Sequence, residues 1–229
     1  MSGQYGYMEA PLAVEPGPGH VVLLGDSIFD NAAYVGGDPD VVTQLRQELP
    51  GWRCSLVAVD GDVMAGVERQ LAAVPRDATH LVVSVGGNDA LGYAPLLQEP
   101  APSVAVALAI LANAQKRFGS EYDAVTDALM NTGLPVAVCT IYDTPPSGPD
   151  QAIIKAALCL FNDSITRAAF SRGAGLIDLR LVCTEDGDYA NAIEPSSRGG
   201  LKIARAIAAF AAGDHGTRPP IVVTGGLPQ

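Results

Sequence analysis

Val21-Val22-Leu23-Leu24-Gly25-Asp26-Ser27 runs from four consecutive apolar residues straight into a turn triplet. A short apolar run without alternation reads as a strand covered on both faces, as parallel strands are. With His20–Leu24 as the first, further strands are expected at Ser55–Val59, Leu81–Val85, Val136–Ile141 and Gly175–Leu179. Between them, apolar residues fall at helical spacing over Asp38–Leu49, Val63–Ala73, Asp150–Arg172 and Ser197–Ala212. A two-part helical insertion is expected over Pro102–Phe118 and Glu121–Met130, broken at Gly119. Strand–helix alternation of this kind predicts an α/β fold, a three-layer α/β/α sandwich on a five-stranded parallel sheet.

No Pro/Gly-rich linker divides the pattern, so one domain over 19–213 is expected. An irregular arm over 1–18 precedes it and a tail over 214–229 follows, with Pro219–Thr224 as a small extra strand or docked segment. The 229 residues are 48% hydrophobic and 17% charged, enough for a large core. A net charge of −11 argues against nucleic acid and anionic membrane surfaces as partners. No segment is apolar for long enough to span a bilayer, and Met1–Pro18 lacks the basic and apolar regions of a secretory leader. Cys54, Cys139, Cys159 and Cys183 form no C-x-x-C pair, so reduced, mostly buried thiols in a cytoplasmic chain are expected.

In open α/β sheets, ligands bind beyond the carboxyl ends of the strands. Ser27, Gly61 and Asn88 each follow a predicted strand, so three strands deliver them to one edge. A serine hydroxyl becomes a nucleophile once a base takes its proton, and acyl transfer needs donors aimed at the developing oxyanion. The Ser27 amide, the Gly61 amide and the Asn88 side chain are candidate donors. No Gly-x-Gly-x-x-Gly or P-loop pattern follows the first strand, which makes nucleotide binding the weakest reading.

Gly25-Asp26-Ser27, Asp60-Gly61-Asp62, Gly86-Gly87-Asn88-Asp89 and the stretch Glu194-Pro195-Ser196 through Gly199-Gly200 into Lys202-Ile203-Ala204 resemble the blocks of the SGNH/GDSL hydrolase superfamily. The resemblance runs from about Val21 to Phe210. It implies a flavodoxin-like fold and a small-molecule ester substrate. It also implies Ser27 as nucleophile and an oxyanion hole from Ser27, Gly61 and Asn88. No cofactor and no bound metal are expected.

The last block departs from the family. Where the family has Asp-x-x-His before the proline, this chain has Asn191 and Glu194. Four roles are open to Glu194: general base in place of imidazole, partner of a water or a cationic substrate group, remnant of a site that has lost catalysis, or a negative side chain favoured by the dipole at the start of the last helix. In the first, Asn191 is expected to hold the Glu194 carboxylate, because a neutral amide does not repel it. The alternative to an esterase is thus a binding protein for an acyl or sugar ligand. His20 and His80 start strands, at the opposite edge of the sheet, and His215 reads as a solvated tail residue.

Lesser candidates surround these. Asp30 and Asn31 line the cleft or a solvated loop, Tyr142 and Asp143 face the cleft edge, and Asp178 sits at its rim. Glu185, Asp186 and Asp188 are expected as solvated loop charges, with a carboxylate donor or weak metal position as the other reading. Ser196 or Ser197 is expected to cap the last helix.

Overall fold

The computed structural model describes residues 19–213 and the backbone of residues 222–223. The arm over 1–18 and nearly all of the tail, including His215, lie outside the described residues. Among the described residues, six parallel strands form one sheet in the order β2-β1-β3-β4-β5-β6. They are β1 (His20–Gly25), β2 (Arg53–Leu56), β3 (His80–Ser84), β4 (Val136–Cys139), β5 (Gly175–Ile177) and the two-residue β6 (Val222–Val223). The sequence expected the first five; β6 falls within the segment expected as an extra strand or docked tail.

Helices α1 (Val41–Glu48), α2 (Val67–Ala72), α3 (Gly87–Gly92), α4 (Val104–Met130), α5 (Gln151–Arg172), α6 (Leu179–Val182) and α7 (Ser197–Ala211) fill the connections. Alternate residues of β1 feed two cores. Val21 and Leu23 pack with α1 and α7 through Val41, Leu45, Ile203 and Phe210. Val22 and Leu24 pack with α2, α4 and α5 through Val67, Phe118, Tyr122 and Ile165. Burial on both faces explains why β1 reads as an unbroken apolar run.

Two expectations are corrected. The second strand lies two to three residues earlier than Ser55–Val59, because β2 is at the sheet edge and its ladder ends where Val57 and Ala58 both donate to the Leu23 carbonyl. The insertion is one continuous helix, α4, with no break at Gly119. A Cβ there would stand 3.3 Å from Ser164 Oγ of α5, so the glycine serves close helix packing rather than a kink.

The chain leaves β1 for β2 on one side and then returns to β3 on the other. The crevice beyond the carboxyl ends of β1 and β3 lies at that reversal.

Candidate active site

Gly25 ends β1 at φ +121°, and a Cβ on it would fall 1.7 Å from the Ser84 carbonyl oxygen. Only glycine lets the end of β1 lie this close to β3, where the Asp26 amide donates to Ser84 O at 3.0 Å. The buried Gln70 side chain clamps Gly25 from both sides, accepting from Gly25 N at 2.7 Å and donating to Gly25 O at 2.8 Å. Ser27 follows in a tight turn closed by the Phe29 and Asp30 amides on Asp26 O.

Glu194 arrives from the loop before α7. Three successive carbonyls of that loop accept hydrogen bonds: Ile193 from the Tyr142 hydroxyl, Glu194 from the Ala190 amide, and Pro195 from the Asn31 side chain. Asn31 is fully buried, and its other amide atom accepts from Val41 N at the start of α1. Asn31 is therefore a clip between α1 and the Glu194 loop, not a cleft residue. Ser196 caps α7 by accepting from Gly199 N, as expected.

This scaffold brings the Ser27 hydroxyl to Glu194, donating to Oε1 at 3.1 Å. Glu194 is 7% exposed, and its second oxygen, Oε2, has no hydrogen-bond partner among the described residues. Burial raises the Glu194 carboxyl above its ordinary value; the Ser27 hydrogen bond opposes this and the Asp60 charge adds to it. Asn191 departs from expectation. Its Oδ1 accepts from the amides of Ile193 and Glu194, shaping the backbone turn rather than holding the carboxylate.

Asn88 sits in the first turn of α3, half-buried, and donates through Nδ2 to Asp62 O at 2.8 Å. A primary amide carries two N–H bonds, so one is left for a ligand. Gly61 takes φ +77° in the exposed turn after β2, with nothing within 4 Å of where a Cβ would lie. The next residue, Asp62, is tied by Gln70 and Arg69. Ser27 and Asn88 share the wall of one cavity. Gly61 is not part of that wall, but the Asn88–Asp62 bond joins its turn to it.

The cavity measures about 610 Å³ and runs from Ser27 between α3, α4 and α5. Leu91, Leu97, Leu111, Ile154, Leu158 and Phe161 give it an apolar lining. Tyr142 and Asp143 border it, as the sequence suggested, and Asp143 pairs with Lys155. Asp26 also faces the cavity and carries a signal the sequence did not reveal. Burial pushes its pKa up to about 8, with the charges of Glu194 and Asp89 adding to the shift and the Ile28 amide opposing it. At that value Asp26 stays mostly protonated near neutral pH.

Other candidates fall elsewhere. Asp178 accepts from Thr140 and Arg180 at the end of β5. Asp188, expected as a solvated charge, is fully buried: it accepts from the Thr184 and Glu185 amides and pairs with Lys202 at 2.7 Å. Its carbonyl lies 2.1 Å from where a Gly199 Cβ would sit, which explains the glycine in the first turn of α7. His20 is buried at the other edge of the sheet, bonded to Ser55 and Asp77. Among the described residues, no three or more His, Cys, Asp and Glu side chains converge as metal ligands would. Cys54, Cys139 and Cys183 are buried, Cys159 is exposed, and all four are unbridged. Among the described residues no helix is long and apolar enough to cross a membrane.

Residues 23–199 match the model of the GDSL-like lipase/acylhydrolase family. No curated protein matches the chain in sequence. The fold is similar to that of an extracellular lipase from Streptomyces rimosus, with TM-score 0.64 and 19% identity over 85% of this chain and 100% of the other. It is similar to a phospholipase A1 from Streptomyces albidoflavus NA297, with TM-score 0.63 and 18% identity over 86% and 100%. A psychrotrophic esterase from Pseudoalteromonas sp., solved inhibited by monoethylphosphonate, gives TM-score 0.57 and 18% identity over 84% and 95%.

Proposed function

Because the chain belongs to the GDSL-like lipase/acylhydrolase family, we propose that it hydrolyses a carboxylic ester, with Ser27 as nucleophile and Glu194 as general base. The observation that carries this reading is the hydrogen bond from the Ser27 hydroxyl to the buried Glu194 carboxylate. A carboxylate at its ordinary pKa is a poor base for an alcohol; burial raises it toward the useful range.

In the first half-reaction the Ser27 proton passes to Glu194 Oε1 as Oγ bonds to the ester carbonyl carbon. The developing oxyanion takes hydrogen bonds from the Ser27 and Gly61 amides and the free N–H of Asn88. Collapse breaks the bond to the alkoxide, which leaves with the proton from Glu194 as the alcohol. In the second half, Glu194 takes a proton from water as its oxygen attacks the acyl carbon. Ser27 then leaves with that proton and the carboxylic acid is released. The acyl chain occupies the apolar cavity beside Ser27.

Burst kinetics with p-nitrophenyl butyrate, together with labelling by an alkyl phosphonate, test the reading in wild type and Ser27→Ala. Turnover and labelling that both vanish in the variant support it. A folded wild type with neither, but with saturable binding of a fatty acid, moves the protein to the binding class.

A further inference from the structure

Outside the apolar cavity, the Glu194 side of the site carries carboxylates without a cation. Asp30 accepts from the Asp60 amide at 3.0 Å, and the Tyr34 hydroxyl donates to Asp60 Oδ2 at 2.9 Å. The Asp60 charge reaches Glu194. The Tyr34 hydroxyl is held protonated first by its bond to Asp60, then by desolvation and by the charges of Glu194, Asp60 and Asp30. Four residues from three separate segments thus form one acidic corner with an aromatic ring in it.

Several other carboxylates around the site are paired with cations: Asp62 with Arg69, Asp143 with Lys155, Asp178 with Arg180 and Asp188 with Lys202. Asp26 has no cation but keeps its proton near neutral pH, and Asp89 accepts from the Met64 amide. Among the described residues Asp30, Asp60 and Glu194 make no ion pair. The buried, unpartnered Glu194 Oε2 is an independent sign: a buried anionic oxygen without a donor is held ready for a positive or proton-donating ligand.

The chemistry orients that ligand. The alkoxide that leaves must collect its proton from Glu194, so the alcohol half of the ester lies on the Glu194 side. The acyl half lies in the apolar cavity. We infer that the acidic corner of Asp30, Tyr34, Asp60 and Glu194 receives a cationic head, so that the substrate is an apolar acyl ester of an ammonium-bearing alcohol. This rests on the esterase reading above. An ammonium group gains from carboxylates and from an aromatic ring together. The net charge of −11 draws cations toward the site and repels phosphate-bearing alcohols.

The test compares butyrylcholine with 3,3-dimethylbutyl butyrate, which replaces the ammonium nitrogen by carbon and leaves the shape unchanged. The expected ratio of kcat/KM is about tenfold in favour of the choline ester at low salt, falling as salt is raised. Asp60→Asn and Asp30→Asn are each expected to lower that ratio severalfold. Because the ratio is taken within each variant, a general loss of activity cancels. A wild-type ratio at or below one, or a ratio unchanged in both variants, overturns the inference. If neither ester is cleaved and Ser27 takes no phosphonate label, the esterase reading fails on its own. Calorimetric binding of choline and of tetramethylammonium then decides the corner: binding weakened in both variants upholds it, and no binding overturns it.

Discussion

The Ser27 hydroxyl and the Glu194 carboxylate meet at 3.1 Å across 167 positions of chain, with only one of the two Glu194 oxygens occupied. The serine comes from the end of β1 and the glutamate from the loop before α7. The contact exists because both are pinned by their backbones rather than by each other. Gly25 and Gln70 fix the approach to Ser27. Tyr142, Ala190 and Asn31 fix three carbonyls in a row around Glu194.

Glu194→Gln keeps the shape and removes the base. With p-nitrophenyl butyrate, kcat/KM is expected to fall by about 10²–10⁴-fold, with the melting temperature held or raised. In wild type the rate climbs as pH rises through the Glu194 pKa, which burial sets above the ordinary carboxylate range. A pH profile in which that limb persists unchanged in Glu194→Gln assigns the base elsewhere.

Asp26 links pH to stability with a definite sign. Its pKa rises from an ordinary 3.8 to about 8 on folding, mainly through burial. Between these values the native state keeps a proton that the unfolded chain has released, so stability falls as pH rises across the window. Below the window no penalty exists, and above it the penalty is complete. Asp26→Asn preserves an acceptor for the Ile28 amide and removes the titration. Measured by urea unfolding, the variant is expected to gain on wild type by about 2–5 kcal/mol between pH 4 and pH 8. A difference that stays flat across that range rules out a protonated Asp26.

The Asn31 clip is expected to matter for both stability and rate. Asn31→Ala leaves the Val41 amide and the Pro195 carbonyl without their partner and costs about 2–3 kcal/mol. Tyr142→Phe removes one hydroxyl from the Ile193 carbonyl and costs about 1 kcal/mol. If the loop positions Glu194, both variants lower kcat more than they raise KM. A fall in melting temperature with unchanged kcat confines the clip to stability.

Chain length reads out the cavity. Ala157 is half-buried on α5 and lines it. Ala157→Phe fills part of the 610 Å³ and is expected to lower kcat/KM for p-nitrophenyl octanoate about tenfold or more. The acetate should change little. Equal losses on both esters place the acyl chain somewhere else.

Much of this protein was legible in one dimension. Val21 to Leu24 are buried on both faces, and a doubly covered strand has to be continuously apolar, so the sheet announces itself as runs. Ser27, Gly61 and Asn88 follow strand ends, and strand ends in a parallel sheet share one edge. The Gly119 break failed because local propensity weighs a glycine against its helix, whereas the neighbour that needs the space, Ser164, lies on another helix.

Charge states were out of reach of the chain alone for the same reason. Asp188 and Asp26 look alike in sequence: each is an aspartate that directly follows a glycine. Folding buries Asp188 under Lys202 and two amides, where it is a paired structural anion. It buries Asp26 beside Glu194 and Asp89 with no cation, where it keeps its proton. Apolar periodicity is set by each element's own burial and can be read along the chain. The protonation of a carboxylate, the hand-off from Ser27 to Glu194 and the unneutralised corner at Asp30 and Asp60 depend on which distant groups come within a few ångströms, and that is settled only when the layers pack.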